Sequence, residues 1–132
     1  MIRVTAAVIE RDGRVLIARR RAEDRFGGVW EFPGGKLEPG ETPEEGLRRE
    51  IDEELGMKIV VGESLGTFPY ASAAWSIELL AFRAAWIDGE MVRREHDDVR
   101  WAAPADLPNY EFADPDRPIV RILTKEAVRA RS

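Results

Sequence analysis

Cysteine is absent, which excludes disulfides and thiolate chemistry, and the single histidine, His96, leaves no second imidazole for a histidine-based metal centre. No apolar run is long enough to cross a bilayer or to act as a signal sequence, so the expectation is a soluble, cytoplasmic protein. Positive charge is not in excess either. The 20 Lys and Arg stand against 25 Asp and Glu, and the net charge of −5 argues against a general binder of polymeric nucleic acid. Repeats, linkers and low-complexity tracts are missing from the 132 residues, a length suited to one domain, 1–132, with a real core. A hydrophobic content of 44% argues against general disorder.

What the chain does have is a concentration of acid. Between Gly35 and Met57, eight acids face three bases, a local balance of −5 that leaves the rest neutral. Thr42 suits a helix cap, Pro43 the first helical position, and Glu45 lies three residues past the cap to complete a capping box. The helix is therefore expected to start near Pro43 and to end near Leu55, where Gly56 can adopt a left-handed closing conformation. Leu47, Ile51 and Leu55 form its core-facing stripe. Gly46 is a poor helix former, costing roughly 1 kcal/mol relative to alanine, and points either to backbone crowding or to drift. Glu50, Glu53 and Glu54 project from one side of this helix and repel one another unless a positive charge lies between them. A hard divalent cation is the natural partner.

The order of residues is more specific than a glutamate-rich helix. Gly35 is followed by five residues, Glu41, seven residues, Arg49-Glu50, Ile51, one residue, Glu53-Glu54, one residue, Gly56 and Met57. This pattern resembles the complete signature of the Nudix hydrolase family. The likeness to its MutT-like nucleoside triphosphate pyrophosphohydrolases spans nearly the whole chain, including Trp30-Glu31-Phe32-Pro33-Gly34 and Pro118-Ile119-Val120. The resemblance implies an α/β fold, a mixed sheet sandwiched between helices, and hydrolysis of a nucleoside diphosphate linked to another group with Mg2+ or Mn2+. By the same resemblance Glu50, Glu53 and Glu54 match metal ligands, and the Gly34 carbonyl adds a backbone ligand. Glu41 and Arg49 match residues that hold the loop and carboxylates in place, Lys36 approaches the phosphates, and Glu95 matches a ligand from outside the box. The general base stays open among Glu53, Glu50 and Glu95. His96 is expected to be a surface or structural residue.

Specificity lies outside the box. Arg20 matches a family arginine near the nucleotide, although Arg19, Arg20 and Arg21 also read as a basic surface patch. Phe32 matches an aromatic near the base. Asp116 stands where MutT-like sequences place an amide that reads oxidised guanine, and in this it resembles the CTP-pyrophosphohydrolase branch. Taken as ionised, it accepts hydrogen bonds without donating them; its other reading is a cap for the last helix. Trp75 replaces an arginine that related enzymes place over the base, and either stacks a base or packs a sheet face. Trp86 and Trp101 are expected to pack.

The remaining elements read as a hairpin over Val4–Glu10 and Val15–Arg19, and short strands over Val29–Phe32 and Val99–Ala102. Longer strands are expected over Lys58–Phe68 and Ser76–Trp86, with one turn near Pro104–Leu107. An amphipathic helix is expected over Pro118–Ala130, packing through Ile119, Ile122, Leu123 and Val128. The leading expectation is cleavage of a nucleoside triphosphate, ordinary, oxidised or methylated, to monophosphate and pyrophosphate, a nucleotide-pool sanitation role. Cleavage of ADP-ribose, a nucleoside diphosphate sugar or a dinucleoside polyphosphate is the alternative. A non-catalytic nucleotide-binding module is expected to lose box carboxylates, and here all are present. No partner beyond the nucleotide is implied, and monomer and homodimer stand equal.

Overall fold

The computed structural model describes residues 1–24 and 27–130. Strand β1 (Ile2–Arg11) turns into β2 (Arg14–Arg20) through Asp12 and Gly13, whose φ angles of 52° and 76° suit a tight hairpin. Helix α1 (Pro43–Leu55) follows β3 (Trp30–Glu31) and leads into the long hairpin of β4 (Lys58–Ala71) and β5 (Ser76–Asp88). The chain closes with β6 (His96–Ala102), 3₁₀ turns at Pro104–Asn109 and Asp114–Asp116, and α2 (Arg117–Ala130).

The strand order is β3-β2-β1-β5-β4, with β6 also paired to β2. Among the described strands β1 and β5 pair in parallel and the other pairs are antiparallel, so the sheet is mixed. β2 pairs with β6 over Val15–Arg20, while β1 takes its opposite edge at Val15 and β3 takes it at Ala18 and Arg19. Beyond the hairpin end, β1 is therefore available to the loop after β3. Thr5 and Ala7 donate their N–H groups to the carbonyls of Gly35 and Pro33, each at 2.8 Å.

Alternation along β1 and β2 divides the core between two faces. Ala6, Val8, Val15 and Ile17 pack with Ile119 and Leu123 of α2 and with Leu107, whereas Ala7, Ile9 and Leu16 pack with Leu47, Ile51 and Leu55 of α1. This is an α/β fold with a helix on each face of the sheet. The box helix follows its local signals: Thr42 accepts from the Glu45 N–H, Glu45 accepts from the Thr42 N–H, and Gly56 closes the helix at φ 67°. The neighbours of Gly46 are side chains and not backbone: a Cβ there would meet the movable end of Leu37 and approach Glu41 Oε1 to 3.1 Å.

Three expectations need adjustment. Val128 is 60% exposed, because α2 buries only its Ile119 and Leu123 side chains. β6 begins at His96 rather than Val99, since pairing with β2 continues to Arg20. β4 and β5 extend beyond the expected ends because their pairing continues from Lys58 opposite Asp88 to Ala71 opposite Ser76. Trp86 and Trp101 do pack as expected, stacked at 6.3 Å between centroids.

Candidate active site

Arg49 organises the acidic box. Its Nε donates to Glu41 Oε2 at 2.7 Å and its Nη2 to Glu41 Oε1 at 2.9 Å, a bidentate grip that joins the loop to the helix. Nη1 donates to Glu50 Oε1 at 3.0 Å and Glu53 Oε2 at 3.2 Å, and Nη2 also reaches the Lys36 carbonyl at 3.1 Å. Held by Arg49 and by the Glu38 N–H, the Glu41 carboxyl falls to about 2. Burial pushes the Glu50 carboxyl up. Gly35 supplies space for that acid: a Cβ at Gly35 would lie 2.5 Å from the Glu50 carboxyl carbon.

Gly34 sits between the two carbonyls that β1 consumes. In an extended segment successive carbonyls face opposite ways, so the Gly34 carbonyl turns away from β1. Its backbone passes so close to Thr5 that a Cβ would collide with the Thr5 carbonyl. On the far side lies a cavity of about 180 Å³ lined by Gly34, Glu31, Glu54, Glu95, His96 and Arg20, with Arg21 and Asp24. Glu54 is buried, and burial followed by repulsion from Glu31, Glu50 and Glu95 holds its carboxyl well above the usual carboxylate range. Its Oε2 is buried without a hydrogen-bond partner among the described residues. A carbonyl, two or more carboxylates and an orphaned carboxylate oxygen form the donor set of a hard cation, and Mg2+ or Mn2+ fits it. Glu53 stands outside this wall, its side chain 57% exposed and bound to Arg49.

A second cavity of about 310 Å³ adjoins the first, with Arg20 and Glu31 in the walls of both. Ile2, Val4, Ile77 and Leu79 give it apolar walls; Trp75, Lys36 and Asp116 complete them. Trp75 is half-buried, tilts against Tyr70 at 5.8 Å and lines this cavity. The three consecutive arginines divide among separate partners. Arg19 lies over Trp30, Arg20 donates to Glu31 at 2.7 Å and Arg21 reaches Asp24 at 3.5 Å.

Two sequence readings change here. The ring of Phe32 is buried in the core, stacked on Phe112 at 5.1 Å, and does not line the cavity; its N–H instead donates to Asp116 Oδ2, a residue of the cavity wall, at 2.7 Å. Asp116 thereby binds across to the end of β3 instead of capping α2. Burial, reinforced by the nearby Glu31 charge, pushes the Asp116 carboxyl up to about 8. This shift favours the protonated form at neutral pH, which offers a donor as well as acceptors, where the sequence suggested an ionised acceptor alone.

Glu31 and the burial of His96 were the features that sequence reasoning missed. The one available signal was a charged residue between Trp30 and Phe32 in the shortest strand, a place where an unpartnered charge is costly.

Comparison with known proteins settles the family. The NUDIX domain model matches residues 1–123. The chain belongs to the Nudix family. It is 38% identical over 120 residues to a CTP pyrophosphohydrolase of Escherichia coli K12, covering 91% of this chain and 89% of that protein. A putative 8-oxo-dGTP diphosphatase 2 of Mycobacterium tuberculosis (strain CDC 1551 / Oshkosh) is 33% identical over 117 residues, 86% of this chain and 82% of the relative. The crystal structure of a MutT protein from Methanosarcina mazei Go1 superposes with a TM-score of 0.84 at 25% identity, covering 96% and 94% of the two chains. This Nudix protein is a hydrolase. Among its described residues no helix is long and apolar enough to cross a membrane.

Proposed function

We propose that this Nudix hydrolase cleaves a nucleoside triphosphate to the monophosphate and pyrophosphate, with Mg2+ or Mn2+ held by Gly34, Glu50, Glu53, Glu54 and Glu95. The observation that carries the reading is the shared wall between the acidic cavity and the half-apolar one, which suits a ligand with a base at one end and phosphates at the other. The cation, when bound, supplies charge that neutralises phosphate oxygens and acidifies the attacking water. Arg49 keeps Glu50 and Glu53 oriented, Lys36 meets the phosphates, and Glu50, Glu53 and Glu95 are the proton acceptors the site offers.

The base is read in the larger cavity, with Trp75 as a stacking wall and Asp116 as the polar group. A protonated carboxyl pairs an acceptor with a donor, and the edge of cytosine that carries its amine pairs a donor with an acceptor, so the two are complementary. The similarity to a CTP pyrophosphohydrolase supports the same base, and that to a putative 8-oxo-dGTP diphosphatase supports a sanitation role.

Metal-dependent turnover across ordinary, 8-oxo and 5-methyl nucleoside triphosphates, together with ADP-ribose and diadenosine polyphosphates, tests this. Monophosphate plus pyrophosphate, with cytosine substrates preferred, is the expected result. Turnover confined to the sugar or dinucleoside substrates would overturn the substrate class.

A further inference from the structure

The only histidine is one of the most enclosed polar groups in the molecule. The His96 side chain is 3% exposed, and its Nε2 lies 2.8 Å from Glu31 Oε2 and 3.7 Å from Glu54 Oε1. A carboxylate has no proton to give, so the ring Nε2–H is the donor to Glu31, with Glu54 as a longer second neighbour. The other Glu31 oxygen, Oε1, accepts from Arg20 Nη1 at 2.7 Å. Each Glu31 oxygen thus accepts from one of two donors, His96 in the wall of the acidic cavity and Arg20 in the walls of both.

A bulge produces this placement. Arg19 pairs with Asp98 but Arg20 pairs with His96, so Asp97 is an extra residue on β6 and the register shifts between Arg19 and Arg20. Such insertions re-aim a side chain. Here the first residue of β6 is turned inward between Glu31 of β3 and Glu54 of α1, two acids that would otherwise face each other in a buried space.

We propose that Glu31 and His96 act as a positioning pair, in which Glu31 anchors the imidazole by a hydrogen bond, the anchored ring packs beside Glu54 at 3.7 Å and keeps its carboxyl group in place, and the same Glu31 fixes Arg20 at the nucleotide cavity. The inference rests on the reading of Glu54 as a metal ligand. Neither residue touches the substrate in this account; both act through a neighbour. Groups that orient a metal ligand in this way typically influence metal affinity by tenfold to a hundredfold.

The test measures Mn2+ affinity by electron paramagnetic resonance of the free ion, without substrate, with folding checked by circular dichroism. His96→Ala and Glu31→Gln are expected to weaken binding by about tenfold or more. Glu31→Gln preserves shape but leaves one acceptor oxygen for two donors. His96→Gln restores an N–H at the distance of Nε2 and is expected to stay within about threefold of the wild-type affinity. Folded His96→Ala or Glu31→Gln protein with unchanged affinity would overturn the positioning pair alone. A wild-type protein that binds no Mn2+ would overturn the metal reading and the pair with it.

Discussion

Arg49 and Glu41 are joined by two parallel hydrogen bonds of 2.7 and 2.9 Å, and the same guanidinium reaches two box carboxylates and a backbone carbonyl. A lysine cannot reproduce this fork, because its ammonium is a single point charge. Arg49→Lys is expected to lower kcat by about tenfold to a hundredfold while leaving the circular dichroism spectrum intact. Equal turnover by the variant and the wild type would show that the fork does not position the carboxylates.

The Glu53 side chain is 57% exposed and, among the described residues, is bound by Arg49, so its replacement removes a charge without opening a cavity. Glu53→Gln should reduce turnover by roughly two orders of magnitude or more with the melting temperature nearly unchanged, since catalytic proton transfer alone contributes on that scale. Near-wild-type turnover would remove Glu53 from the chemistry.

Gly35→Ala addresses the space in front of Glu50. The new methyl would fall within 2.5 Å of the Glu50 carboxyl carbon, and the side chain, rather than the backbone, would yield. Activity is expected to fall at least about tenfold through misplacement of the carboxylate, with only a small change in stability. A variant that keeps full activity would contradict the assigned position of Glu50.

The legible parts of the sequence were local ones. Thr42, Glu45 and Gly56 mark both ends of α1 because capping is decided within one helical turn. Asp12-Gly13 marks the first hairpin for the same reason. Glu31 and His96 lie 65 positions apart and meet only because β3 and β6 pair with opposite edges of β2 near Arg20, a relationship that no local pattern encodes. The protonated state of Asp116 was likewise hidden, since burial and the Glu31 charge are properties of the assembled cavity. Phe32 was placed at the base by resemblance, whereas its ring packs in the core against Phe112 and its N–H holds Asp116.

Asp116 has a consequence for stability. Its folded carboxyl is raised from 3.8 to about 8, so between these values the folded state holds a proton that the unfolded state has lost. Its burial therefore makes stability fall as pH rises through that window, by at most about 1.4 kcal/mol per pH unit, and the loss levels off above pH 8. Urea unfolding of wild type and Asp116→Asn from pH 5 to 8.5 isolates this contribution from the raised Glu50 and Glu54, which both proteins share. The wild type is expected to lose stability relative to the variant with rising pH; parallel profiles would contradict the buried, protonated carboxyl. Asp116→Leu, which removes both the donor and the acceptor, should change the ratio of activity on CTP to activity on 8-oxo-dGTP by about tenfold, or roughly 1.4 kcal/mol. An unchanged ratio would leave Asp116 only its structural bond to Phe32.

The central claim is that the acidic cavity and the half-apolar cavity serve opposite ends of one nucleotide. Nitrogen-15 NMR with Mn2+ and, separately, CMP tests it directly. Mn2+ should broaden the amide signals of Gly34, Glu50, Glu54 and Glu95, while CMP should shift the Trp75 indole and the Phe32 N–H that Asp116 holds. Broadening centred elsewhere, or a nucleotide response that spares Trp75 and Phe32, would contradict the account.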